Sequence, residues 1–185
     1  RADRLWDECG FSCDIPTIGI NCGAATGTTR LWPEQHVRDL AQRLASELDL
    51  QVLLHCGPGE REGCNRLATA IGHPRVASMG CMDQLPIGLS KAALGRCAVV
   101  VSTDSGPRHL AVALNRPVVA LYGPTDPAWT PTYNRPEMAL AESLACRPCY
   151  QSPCPLKHHR CMHDLSVERV LAAVRALLVP RAAVA

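Results

Sequence analysis

Apolar residues in this chain follow two alternating patterns. Short continuous runs bounded by glycine, proline or small polar residues take turns with stretches where apolar positions return every three or four residues. The first run, Ile15 to Cys22, ends in Gly23-Ala24-Ala25-Thr26-Gly27, which reads as a buried strand and a small-residue loop. Trp32-Pro33-Glu34 then opens a helix with Val37, Leu40, Leu44 and Leu48 at helical spacing. Leu50 to His55 reads as the next strand, Gly57 to Glu60 as a turn, and Arg61 to Ile71 as a helix. Val76 to Met79 is a short strand, and Leu85 to Leu94 a helix with Leu85, Leu89 and Leu94 on a face. The β-branched run Val99-Val100-Val101 is a strand that ends at Ser102-Thr103-Asp104-Ser105-Gly106-Pro107. A helix from His109 to Leu114 and a strand from Val118 to Tyr122 follow. Residues 126–135 are a loop rich in Pro and Thr, and a final helix spans Leu165 to Leu178 with Ser166 as N-cap.

Strands alternating with helices imply parallel βαβ units, hence a Rossmann-like, doubly wound α/β sheet of about five strands. The expected organisation is a lead-in over 1–14, the sheet domain over 15–145, a Cys-rich loop over 146–164, and a C-terminal helix and tail over 165–185. The chain opens on Arg1 rather than Met, so a piece of a longer gene product is expected.

Composition narrows the function. Of 185 residues, 47% are hydrophobic and 19% charged, the balance of a globular core. A net charge of +2 without a long basic run argues against a nucleic-acid partner. No apolar stretch approaches the roughly 18–20 residues of a transmembrane helix, and no secretory signal opens the chain. The 11 cysteines are mostly scattered, which favours buried or reduced thiols in a cytoplasmic setting.

Four of them cluster as Cys146-x2-Cys149-x4-Cys154-x6-Cys161, with His158, His159 and His163 interleaved. This is the ligand supply of a structural zinc site. Two disulfides or four free thiols are the alternatives, and a bonded cluster would staple the loop before the last helix.

The carboxyl ends of parallel strands share one edge of the sheet, so the loops at Gly23 to Arg30, Gly57 to Glu60 and Asp104 to His109 open together. Pro107 suits the first turn of a helix because its missing N–H would be unpaired there. Gly106 lets a ligand approach the backbone. That edge offers the Arg30 guanidinium, the Glu60 carboxylate and a helix N-terminus. A cation with amide dipoles suits a diphosphate, and a carboxylate suits the paired hydroxyls of a ribose. Each residue also has a plainer reading: Arg30 as a solvated cation, Glu60 as a helix N-terminal acid, Asp104 as the cap of its own turn, His109 as a core histidine.

At these residues the sequence resembles a known family. Asp104-Ser105-Gly106-Pro107-Arg108-His109-Leu110-Ala111, then Pro117 to Tyr122 and Gly123-Pro124-Thr125-Asp126-Pro127, resemble glycosyltransferase family 9, the lipopolysaccharide heptosyltransferases, as does Arg30-Leu31-Trp32-Pro33 upstream. The resemblance implies half of a GT-B enzyme: the C-terminal domain that holds a sugar nucleotide. It assigns Arg30 to the donor phosphates, Glu60 to the ribose, and Asp104, Ser105 and Gly106 to the turn around diphosphate and sugar. His109 falls on the following helix, Leu85 where an apolar side chain packs on adenine, and Thr26 on a loop hydroxyl. Several members carry Lys where this chain has Arg30; Arg keeps the charge and adds a fork. The implied reaction moves a heptose or similar sugar from an ADP-heptose-like donor to a glycolipid or sugar acceptor, with no cofactor beyond a structural zinc. The acceptor site and catalytic base fall to an N-terminal domain, so no catalytic residue is assigned here. A cytoplasmic enzyme, peripheral to the inner membrane, is the implied setting. A non-catalytic sugar-nucleotide-binding module and a metal-stapled interaction protein are the alternatives.

Overall fold

The computed structural model describes residues 2–21, 23, 28–132 and 136–178. Among these, one sheet contains β1 (Thr17–Asn21), β2 (Gln51–His55), β3 (Val76–Ser78), β4 (Val99–Thr103), β5 (Val118–Tyr122) and β6 (Glu137–Ala141). All its pairings are parallel, in the order β3-β2-β1-β4-β5-β6. Gly19 of β1 stands opposite Leu53 on one side and Val100 on the other. The chain thus winds outward twice from the middle, first to β3 and then to β6. The reversal lies between the carboxyl ends of β1 and β4, where such sheets leave a ligand crevice.

Strand residues alternate between two apolar layers. Along β4, Val99 and Val101 join one layer while Val100 joins the other. On one face lie α2 (Glu34–Glu47), α3 (Arg61–Ile71) and α7 (Val167–Leu178), and on the other α4 (Ile87–Arg96) and α5 (Gly106–Ala113). The predicted stripe of α2 is buried at Val37, Leu40 and Leu44. Helix α3 ends on Gly72 at φ +63°, a left-handed cap that glycine adopts without a Cβ penalty. Trp32 is buried and its Nε1 donates to the Leu165 carbonyl at 2.9 Å. The Trp-Pro segment thereby ties the start of α2 to the start of α7. Ser166 caps α7, its Oγ accepting from the Arg169 N–H at 3.4 Å.

The pattern of apolar residues missed three elements. Strand β6 extends the expected sheet of about five strands to six. Its sequence EMALA has little β-branching, and its Glu137 reads as a solvent residue. In the fold that carboxylate is turned inward to an arginine, with its side chain only 9% exposed. Helix α1 (Ala2–Glu8) forms in the polar lead-in around two buried residues, Leu5 and Trp6. Trp6 meets Phe11 edge-on, with centroids 5.9 Å apart, and carries the Arg96 guanidinium 4.7 Å from its ring centre. The short α6 (Arg160–His163) lies within the Cys-rich segment. Helix α5 also starts at Gly106, earlier than His109, with Pro107 in its first turn. No helix of the described residues is long and apolar enough to cross a membrane.

Candidate functional site

The crevice at the reversal point has two lobes that share Ser105 and Gly106, the start of α5. One lobe, of about 390 Å³, is lined by Arg30, Asp104, His109, Thr125, Asp126, Trp129, Thr130 and Tyr150. The other, of about 610 Å³, is lined by Asn21, Gly23, His55, Gly57, Glu60, Leu85, Ile87, Pro107 and Leu110, with Pro58 and Ser90. The first holds the charged side chains Arg30, Asp104 and Asp126, and the second is the more apolar of the two.

In the charged lobe Arg30 leaves a short turn after β1 and reaches across to the end of β4. Its Nη1 donates to the Asp104 carbonyl at 2.9 Å and lies 3.9 Å from Asp104 Oδ2. About a third of the side chain stays exposed, at 31%, so the guanidinium keeps a free face toward the lobe. Asp104 is held from its other side by Arg108, whose Nη1 donates to Oδ1 at 3.4 Å. Arg108 has no exposed surface. It forms a two-pronged pair with Glu137, Nε to Oε2 at 2.9 Å and Nη2 to Oε1 at 3.0 Å. Its guanidinium also packs 5.2 Å from the Tyr122 ring centre, and burial pushes the Tyr122 hydroxyl up to about 12. A buried charge is tolerated only when paired and hydrogen-bonded, and Arg108 is both. It fixes the Asp104 carboxylate and fastens β6 to the sheet. His109 is exposed at the lobe, with Arg108 Nη1 3.4 Å from its Nε2, so the core-histidine reading is set aside.

Ser105 closes the turn. Its Oγ accepts from Asn21 Nδ2 at 3.1 Å and donates to the Thr103 carbonyl at 3.2 Å, which binds the β1 and β4 loops together. Gly106 is exposed, with open space where a side chain would stand. Backbone and helix dipole are therefore accessible to an anion.

In the apolar lobe Glu60 Oε2 accepts the Gly57 N–H at 2.8 Å. The carboxylate lies so close to Gly23 that a Cβ there would sit 1.8 Å from Oε1. Glu60 is thus pinned between the loops after β1 and β2, at the mouth of the lobe. Leu85 is buried, while Ile87 presents 65% of its surface. His55 is buried at the end of β2, and burial lowers its pKa from 6.5 to about 4.

Arg30, Glu60, Leu85, Asp104, Ser105, Gly106 and His109 all line the two lobes. Thr26 lies outside the described residues. Cys146, Cys149, Cys154 and Cys161 stand as separate thiols. Among the described residues no three His, Cys, Asp or Glu side chains gather as metal ligands. The segment that carries them is fastened by Arg147, which donates to the Gly123 carbonyl, to Thr125 O at 3.0 Å and to Glu142 O at 2.8 Å.

Three further residues shape the site. Arg108 stands in the Asp104 to Ala111 run without a role assigned from sequence; its spacing four residues after Asp104 on a helix start was the available signal. His55 ends an apolar strand and carries no mark of its own, while Thr125 stands in the Gly123-Pro124-Thr125-Asp126-Pro127 run without a role assigned to it there. Each is buried, and His55 Nε2 and Thr125 Oγ1 have no hydrogen-bond partner. Of the three side-chain atoms in that condition among the described residues, the other is His36 Nδ1, away from the crevice.

A doubly wound sheet with a two-lobed crevice at its reversal point defines the class: a Rossmann-like domain suited to a ligand with a flat apolar part and an anionic part. The chain belongs to glycosyltransferase family 9 (heptosyltransferase), whose family model matches residues 3–160. It is 29% identical over 164 residues to lipooligosaccharide heptosyltransferase 2 of Campylobacter jejuni, covering 88% of this chain and 52% of that protein. It is 35% identical over 155 residues to lipopolysaccharide heptosyltransferase 1 of Pseudomonas aeruginosa, covering 81% and 42%. The E. coli ADP-heptose lipopolysaccharide heptosyltransferase II structure superposes with a TM-score of 0.79 at 27% identity, over 96% of this chain and 50% of that one. The E. coli heptosyltransferase WaaC, solved with ADP-2-deoxy-2-fluoro heptose, gives 0.67 at 25% identity, over 95% and 47%. The chain spans about half the length of the curated relatives it matches.

Proposed function

We propose that this chain is the donor-binding half of a heptosyltransferase, which takes an ADP-activated heptose and passes the sugar to a lipopolysaccharide-type acceptor. The observation that carries this reading is the meeting of the Arg30 guanidinium and the exposed start of α5 between an apolar lobe and one that holds charged side chains. The adenine lies in the apolar lobe against Leu85, Ile87 and Leu110, and Glu60 holds the ribose. The diphosphate crosses Ser105 and Gly106, and the sugar enters the lobe of Asp104, His109 and Thr125. The WaaC structures with ADP and with ADP-2-deoxy-2-fluoro heptose support this choice of base and sugar.

In the reaction the acceptor hydroxyl attacks the anomeric carbon, the bond from that carbon to the diphosphate oxygen breaks, and the leaving diphosphate gains negative charge. Arg30 and the amides at Gly106 stand ready for that charge, so they stabilise the transition state more than the bound donor. A cation and a helix dipole can do this without a metal. The hydroxyl proton goes to a carboxylate of an N-terminal Rossmann half, which also holds the acceptor. Work on the cytoplasmic face of a membrane, with peripheral contact only, fits such an acceptor.

Calorimetric titration with ADP, UDP and GDP tests the reading. Selective binding of ADP is expected, and equal affinity for all three, or none for any, would overturn it.

A further inference from the structure

We propose that His55 selects the nucleoside base: its unpaired Nε2 accepts a hydrogen bond from the exocyclic amine of a bound adenine. This rests on the donor-site reading and adds a residue to it. His55 lines the apolar lobe together with Leu85, Ile87 and Leu110, and only 3% of it is exposed. Its tautomer follows from its neighbour. Asn21 uses its Nδ2 to donate to the Gly23 carbonyl at 2.9 Å and to Ser105 Oγ at 3.1 Å. That leaves Asn21 Oδ1, an acceptor only, facing His55 Nδ1 at 3.4 Å. Nδ1 therefore carries the proton and Nε2 is left as a lone-pair acceptor with no partner. Burial keeps the ring neutral, so Nε2 does not become a donor near neutral pH.

A buried acceptor without a donor is costly, and a ligand that supplies one gains the difference. Glu60 offers only acceptor oxygens at the mouth of the lobe and leaves this vacancy unfilled. The amine of adenine is a donor of the right kind. Hypoxanthine and guanine present a carbonyl oxygen at the same ring position, and two facing acceptors repel. A site built to bond an N–H rejects an analogue that lacks it far more sharply than an apolar wall rejects a missing methylene.

The test compares ADP with inosine diphosphate, in which that amine is replaced by oxygen, by calorimetry on the 185-residue chain. ADP should bind roughly tenfold or more tightly. In His55→Leu, checked for folding by circular dichroism, the preference should fall below about threefold because the polar vacancy is gone. On the unsubstituted chain, the His55 Nε2 resonance in nitrogen-15 spectra should move upfield with ADP, as a lone-pair nitrogen does on accepting a hydrogen bond, and this arm holds even if the variant fails to fold. Equal binding of both nucleotides, a preference that survives in a folded His55→Leu, or a resonance that stays in place would overturn the proposal and leave the donor site standing. Binding of neither nucleotide would overturn both.

Discussion

The two lobes of the crevice are built by opposite means. In the charged lobe the ionic groups form a chain inside the protein: Arg30 on Asp104, Asp104 on Arg108, Arg108 on Glu137. In the apolar lobe the walls are Leu85, Ile87 and Leu110, and the buried polar atom His55 Nε2 is left without a partner. The contrast separates two sources of recognition. A preorganised charge array is stiff and offers strength toward an anion. A shaped wall with one vacant acceptor offers little strength and discriminates through what is absent. Loss of a charge should therefore weaken the binding of any nucleoside diphosphate in one lobe, and loss of the vacant acceptor should change the choice of base in the other.

The largest expected effect is at Arg108. Arg108→Leu leaves Asp104 and Glu137 facing each other without their shared cation, and breaking a buried pair from one side costs about 3–5 kcal/mol. Chemical denaturation should show this loss, together with weaker nucleotide binding through a displaced Asp104. A loss below about 1 kcal/mol would mean that the array is solvated after all.

Acid should reveal the other lobe. His55 has a folded pKa of about 4 against an ordinary value of 6.5. The unfolded chain therefore binds the proton first, and this contribution to stability is present above about pH 6.5 and lost as pH falls toward 4. The whole window is worth about 3 kcal/mol. The slope of stability against pH there should flatten in His55→Leu and persist in Arg30→Ala.

Arg30→Ala comes next. It removes a partly exposed guanidinium held by a backbone carbonyl, so the fold should change by less than about 1 kcal/mol. Affinity for ADP should fall roughly tenfold to a hundredfold, the value of a charge-assisted contact to phosphate, with equal loss for any nucleoside diphosphate. A loss confined to ADP would assign base recognition to the wrong lobe.

The smallest effect is expected at Thr125, where Thr125→Val removes the unpaired hydroxyl and keeps the shape. Binding of ADP should be unchanged, while the extra affinity of ADP-heptose over ADP should drop by about 0.5–1.5 kcal/mol. An equal drop for both ligands would place Thr125 on the phosphates.

Sequence carried the framework of this molecule further than its fine structure. Strands of β-branched residues and helices with periodic leucines were legible because their pattern is their cause. The same holds for the loop edge that gathers Arg30, Glu60 and Asp104, since parallel strands must open their carboxyl ends together. Strand β6 was hidden because its leading residue, Glu137, is a charge neutralised by a residue 29 positions away. Helix α1 has too few buried positions, Leu5 and Trp6 side by side, to show a period. What Arg108, His55 and Thr125 do escaped for a shared reason, although Arg108 and Thr125 stand in the runs that carry the family resemblance. Their roles come from burial and from the presence or absence of a partner, which tertiary packing sets and local pattern does not. The cysteine spacing offered a ligand supply in sequence, while the contacts that dock its segment include the Arg147 guanidinium and the backbone N–H groups of Cys149 and Tyr150 on the Pro124 carbonyl.

The most direct test of the donor site is an amide chemical-shift map of the chain titrated with ADP and then with ADP-heptose. The strongest changes with ADP are expected at Ser105, Gly106, Gly57 and Leu85, with added changes at Thr125 and His109 when the sugar is present. Changes centred elsewhere, or an identical map for both ligands, would contradict the donor-site reading.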